Sequence, residues 1–82
     1  MINNLEETIE LMTSPDYKDR FKAEFEQLCF RINKLDAFLS KWDKGELKIA
    51  PKSPREWFER QRQAMADYGQ VLAARAIKEE IY

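Results

Sequence analysis

From Asp16 to Trp42, large apolar residues recur at strict 4-3 spacing: Phe21, Phe25, Leu28, Ile32, Leu35, Leu39 and Trp42. That is the seam of one long helix, and no Gly or Pro interrupts it. At about 1.5 Å per residue such a helix runs roughly 40 Å. A chain of 82 residues cannot cover a rod of that length with its own mass alone. The seam therefore predicts an all-α helical hairpin that assembles with further copies of itself.

The chain lacks the staples that small folds often add. Its one cysteine, Cys29, cannot form an internal disulfide, and there is no histidine. Zinc sites use about four N, S or O ligands, and no such set stands out. Cys29 lies between Leu28 and Phe30, where a small buried hydrophobe is expected. A nucleophilic thiol would need a base beside it, and none is near in the sequence. No Ser-His-Asp set, Gly-rich phosphate loop or cofactor motif occurs. The expectation is a binding protein, not an enzyme, without metal or cofactor.

Met1–Met12 has neither a basic start nor an apolar run, so no signal peptide is expected. No segment reaches the roughly 20 apolar residues of a membrane span. A soluble protein of a reducing cytoplasm fits these features. Net charge is −1, yet it is unevenly placed. Glu6, Glu7, Glu10 and Asp16 make the start acidic, while basic residues outnumber acidic ones across Lys41–Arg62. A positive patch is expected, but the basic excess is too small for a binder of polymeric nucleic acid.

The expected organisation is one domain over residues 1–82, with helices at about 4–12, 16–43 and 54–80. In the first, Ile2, Leu5, Ile9 and Met12 share a face, and Asn3 or Asn4 caps its start. Ser14, Pro15 and Asp16 read as N-cap, N1 and a dipole-matched acid for the long helix, with Gly45 just past its end. Glu46–Lys52 is a linker in which Leu47 and Ile49 suggest a short extended piece along the hairpin. Ser53, Pro54 and Glu56 read as a capping box for the third helix. Its apolar stripe is Trp57, Phe58, Ala64, Met65, Tyr68, Val71, Leu72 and Ala76, crossed by Gly69. A short linker makes the two long helices antiparallel neighbours.

Apolar residues remain in surplus. Ala23, Phe30, Ala37 and Phe38 lie off the main seam, and Ala73 or Ala74, Ile77 and Ile81 point away from the Tyr68 stripe. Such surfaces mark an interface between copies unless the first helix covers them. Two groups of residues read as ligand candidates. Arg75 continues the Phe58–Met65–Tyr68–Leu72 progression; it either snorkels at the hairpin end, pairs with an acidic side chain, or forms a fork for a ligand phosphate or carboxylate. Tyr68, two turns earlier, is a stacking residue or part of the core. Tyr17, Lys18 and Lys22 place cations at a helix start, against the helix dipole. They form either a solvated surface paired with Glu24 and Glu26 or a stacking-plus-cation site for an anion.

Leu11, Met12, Ser14, Asp16, Tyr17 and Lys18, the run Arg20–Glu24, and Gln61, Ala64, Met65, Tyr68, Arg75 and Ala76 recur in order in a known group. Through them the chain from Leu11 to Ile81 resembles small phage and prophage proteins of the crAss-phage 48-related family. The hairpin is more distantly similar to phage anti-defence sponges, the anti-CBASS and Thoeris anti-defence proteins. The likeness there is a long helix, a turn, and a second helix whose end, here Met65 to Ala76, carries Arg and Ala.

That resemblance implies a homo-oligomer in the cytoplasm of a bacterial host that sequesters a cyclic oligonucleotide or a cyclic ADP-ribose-type signal without catalysis. The implied ligand-binding residues are Tyr17, Lys18, Lys22, Tyr68 and Arg75. The alternative is a small phage inhibitor or adaptor that docks a helical face on a host protein, with Phe30, Phe38 and Trp42 as anchors. A plain structural subunit of a phage particle is a third reading, with no specific sequence feature behind it.

Overall fold

The structure, a computed structural model, describes residues 4–82. The expected contributions of Ile2 and Asn3 lie outside the described residues. A 3-10 turn over Leu5–Thr8 leads into α1, Ile9–Met12, then α2, Tyr17–Asp43, and α3, Arg55–Lys78. With 27 and 24 residues, α2 and α3 form the antiparallel hairpin, and the molecule measures 43 × 24 × 20 Å. No strand occurs among the described residues. In the linker Leu47 is half-buried, whereas Ile49 is exposed, so no extended piece lies along the hairpin.

The helix starts differ from the sequence expectation. Asp16, not Ser14, caps α2, its carboxylate accepting the Lys18 N–H at 2.9 Å. Asp16 stands immediately before the first helical residue, Tyr17, and offers a charged acceptor, the stronger cap. Ser14 instead braces the turn: its hydroxyl accepts from the Asp16 N–H and donates to Asp19 Oδ2 at 2.9 Å. At α3 the capping box does not form. Pro54 occupies the N-cap position, and no side chain bonds there. Tertiary pairing holds this end: Arg55 forks onto both carboxylate oxygens of Asp43 at 3.0 Å and also pairs with Glu59.

Both helix ends close with the same hydrogen-bond pattern. After α2, Gly45 at φ +71° lets its own N–H reach Trp42 O and the Glu46 N–H reach Lys41 O at 2.9 Å. This is a Schellman motif, with glycine where a left-handed residue is needed. After α3 the pattern repeats without glycine. Glu80 stands at φ +55°, its N–H bonds Ile77 O, and the Ile81 N–H bonds Ala76 O at 2.9 Å. A left-handed non-glycine residue costs roughly 1–2 kcal/mol. Burial of Ile81, 6% exposed, opposes that cost. Ile81 is thus a core residue past the end of the helix and does not point away, as its place on a continued helix would have it do.

Phe21, Leu28, Leu72, Ala76 and Ile81 form the core, flanked by Phe25, Ile32 and Met65. The inward row of α3 is therefore Phe58, Met65, Gly69, Leu72 and Ala76. Trp57, Tyr68 and Val71, which the expected stripe included, are exposed. Near the linker Phe38, Trp42 and Phe58 pack their rings at centroid distances of 5.4 to 5.8 Å. Between the two clusters Arg62 reaches across to Asp36, Nε to Oδ1 at 2.9 Å. These hydrogen bonds, with the charge of Arg62, hold the Asp36 carboxyl below the usual range and raise the Arg62 guanidinium.

The N-terminal segment packs on α2 of the same chain. Thr8, 1% exposed, donates its hydroxyl to Leu5 O at 2.6 Å and accepts from Gln27 Nε2 at 2.9 Å. Gln27 shares a helical row with Ala23 and Phe30, so this segment covers part of the surplus that the sequence left open. Ala23 is buried and Phe30 half-buried.

Gly69 sits under Leu28, and a methyl group added there would meet Leu28 Cδ2 at 3.6 Å, an ordinary contact. Gly69→Ala is expected to stabilise the fold by about 0.4–1 kcal/mol, as read by urea denaturation. A loss of stability would mean that Leu28 cannot accommodate the methyl group. The Arg62–Asp36 pair gives a pH signature. Because the folded carboxyl is held down, its stabilisation is complete above the ordinary aspartate value, about 3.9, and disappears as pH falls through the lower folded value. Asp36→Asn should lower the melting midpoint at neutral pH, with the gap to wild type closing on strong acidification.

Candidate functional site

The residues singled out as ligand-binding fall at the end of the hairpin where α2 begins and α3 finishes, Tyr68 being set back along α3. Two clusters form there. In the first, Arg75 lies with its guanidinium carbon 5.0 Å from the centre of the Phe21 ring and donates from Nε to Glu79 Oε2 at 3.1 Å. The Tyr17 hydroxyl donates to the other oxygen of Glu79 at 3.4 Å. Glu79 thus brings Tyr17 of α2 and Arg75 of α3 together. Arg75 is exposed and does not sit on the buried stripe. The anion its position called for is Glu79, one turn on.

In the second cluster the Lys22 ammonium stands 5.6 Å over the ring of Tyr82. Tyr82 packs edge-on against Phe25, with ring centres 6.1 Å apart and planes at 74°. Burial raises the Tyr82 phenol, with Glu26 and Cys29 adding to the effect. Lys18 is half-buried one turn before Lys22 on the same row of α2. Tyr17, Lys18 and Lys22 are thus divided between two clusters: Tyr17 joins Arg75, while Lys22 joins Tyr82. The helix start itself is engaged, since the Asp16 carboxylate takes the Lys18 N–H.

Tyr68 lies two turns before Arg75 on the outer row of α3. With Trp57, Ala64 and Val71 it forms an exposed apolar row at heptad spacing. Part of the surplus surface of this chain is therefore on α3, and Ile9, Met12 and Ile49 are exposed elsewhere. The docking anchors expected on α2 are engaged within the fold, Phe38 and Trp42 against Phe58 and Phe30 beside the N-terminal segment. Tyr82 is the residue that sequence reasoning missed. Its role comes from the turn at Glu80, and no local signal announces a left-handed glutamate.

Burial, followed by Glu26, raises the Cys29 thiol, so it is protonated and a poor nucleophile at neutral pH. Among the described residues no group of three or more His, Cys, Asp or Glu is placed to hold a metal ion. None of the described helices is long and apolar enough to cross a membrane.

The exposed Arg75–Glu79 pair contributes little to stability. Arg75→Ala is expected to change unfolding free energy by about 0.5 kcal/mol or less, while Leu28→Ala costs about 2–5 kcal/mol. Parallel urea titrations check the contrast. Unfolding of the Arg75 variant would instead make the Arg75–Phe21 contact part of the core.

No curated protein and no solved structure matches the chain significantly. Residues 15–78 match the Sequestin family, and with most of its length matched the chain belongs to that family.

Proposed function

We propose that this Sequestin family member is a phage anti-defence protein that sequesters a cyclic nucleotide immune signal, a cyclic oligonucleotide or a cyclic ADP-ribose-type molecule, and does not transform it. The family's name points to sequestration. The resemblance to crAss-phage 48-related proteins and to the anti-defence sponges supplies the phage origin, the bacterial cytoplasm and the class of signal. The observation that carries the reading is the pair of cations backed by aromatic rings at one end of the hairpin, Arg75 over Phe21 and Lys22 over Tyr82. Guanidinium and ammonium groups meet phosphate, and tyrosine rings offer faces to bases.

In this reading Arg75 and Tyr17 form one wall and Lys22, with Lys18, another. Glu79 is the internal stand-in that a phosphate displaces from Arg75. Tyr68 lies on the same row as Arg75, at the edge of the apolar strip of Trp57, Ala64 and Val71. A second copy packed on that strip would set Tyr68 and Arg75 at a boundary between chains, so that ligand pockets complete themselves in a homo-oligomer.

A second reading has one observation in its favour. The same exposed strip would suit a helical face of a host protein, making the chain an inhibitor or adaptor. The state of assembly separates the two: a closed symmetric oligomer supports sequestration, and a monomer supports docking.

The test is a thermal melt of the purified protein against cyclic dinucleotides, cyclic trinucleotides and cyclic ADP-ribose isomers. Ligand at about 100 times its dissociation constant adds about 2.7 kcal/mol to the native state, several degrees for a domain of this size. A shift with one class, lost in Arg75→Ala, is the expected result. A flat panel from well-folded protein rejects the reading.

A further inference from the structure

Beside the second cluster runs a groove between α2 and α3 of about 370 Å³. Its apolar walls are Phe25, Ala73, Ala76 and Ile77, and Glu26 and Tyr82 complete the lining. Ile77 is 80% exposed and Tyr82 66% exposed, large apolar surfaces that the fold leaves in contact with water. The groove is small, at the lower end of the range for ligand sites, roughly 300–1,000 Å³. That is space on the scale of one base with its sugar, and the groove is open to solvent on one side.

Three features choose among possible occupants. An aromatic ring supported edge-on by a second ring, Tyr82 on Phe25, is a stacking platform for a flat apolar ring. One carboxylate, Glu26, lies in the lining and accepts hydrogen bonds from a ring amine or a sugar hydroxyl. One ammonium, Lys22, stands over the Tyr82 ring at the side of the groove, with Lys18 a turn away, and offers a partner for an anion. Flat ring, donor groups and anion together describe a nucleotide. A purely apolar occupant would leave Glu26 and Lys22 without a role, and free phosphate would leave the apolar walls without one.

We propose that the Phe25–Ile77–Tyr82 groove is a subsite for the base and sugar of a single nucleotide unit, with Tyr82 as the stacking residue and Lys22 as the phosphate partner. The proposal rests on the nucleotide-sequestering reading and deepens it. Each chain reads one base within its own hairpin, and the remainder of a cyclic signal extends away from the groove. Tyr82 reaches the site through the left-handed turn at Glu80 and the burial of Ile81. The core therefore sets the stacking residue in place before any ligand arrives.

The experiment is an NMR titration of the full chain with AMP, and separately with orthophosphate, following backbone amides. Dissociation constants are then measured for Tyr82→Ala and Tyr82→Phe. Both substitutions leave Ile81 untouched, and a melt of each variant verifies its fold. AMP is expected to shift Ala73, Ile77 and Tyr82, whereas orthophosphate moves Lys22 without the apolar wall. Tyr82→Ala should weaken AMP about tenfold or more, and Tyr82→Phe should stay within about twofold of wild type. Shifts confined to Tyr17, Tyr68 and Arg75, or AMP affinity unchanged in Tyr82→Ala, overturn the groove and leave the sequestering reading standing. The groove is likewise overturned, and sequestration kept, if AMP shifts nothing while a cyclic nucleotide raises the melting midpoint. No response to AMP or to any cyclic nucleotide overturns both.

Discussion

This structure depends on how α2 and α3 pack, with Leu28 of α2 beside Gly69 of α3 and in one core with Phe21, Leu72 and Ala76. Leu72, 1% exposed, fills the space one turn on from Gly69. Phe21, Ala76 and Ile81 extend the contact toward the end of the hairpin, and Met65 and Ile32 carry it toward the linker. Two ion pairs then fix the register, Arg62 with Asp36 and Arg55 with Asp43. Exposed pairs of this kind add little stability. Their forked geometry nonetheless matches the alignment that the core sets.

That alignment has a consequence at the far end of the molecule. When Leu72 and Ala76 face inward, the row of Tyr68, Val71 and Arg75 must face outward, since the rows are separated by a fixed angle about the helix axis. The outer row carries the apolar strip, and Arg75 ends beside Phe21. The Schellman turn at Glu80 folds the last residues back on α2, placing Tyr82 beside Phe25 and Lys22. Cations set over aromatic rings thus follow from the packing. A ring already supporting a cation stays in a defined place, and a defined place is what a phosphate or a base needs from its site.

The long helix was legible in the sequence because its signal is strong and local. A 4-3 apolar seam without Gly or Pro has one reading, and Tyr17–Asp43 lies within a residue of the expected bounds. Gly45 announced its turn for the same reason. The capping signals were less reliable. Ser14 and Ser53 had the right identity, but Asp16, next to the first helical residue, takes the cap of α2. At α3 the Arg55–Asp43 fork replaced the local cap. Of the ligand candidates, residue type was readable and grouping was not: Tyr17 went to Arg75 through Glu79, and Lys22 went to Tyr82.

The sequence by itself determined that this chain is a helical hairpin with apolar surface to spare and with cations near tyrosines, because periodicity and residue chemistry are local properties. It could not determine which row of α3 faces inward, since Trp57, Tyr68 and Val71 are as apolar as Phe58, Met65 and Leu72. Only the tertiary structure decided that. Leu72 and Ala76 are rotated inward to meet Phe21, Leu28 and Ile81, with Gly69 beside Leu28. The same rotation exposes the apolar strip, and the turn at Glu80, held by the burial of Ile81, brings Tyr82 to its groove.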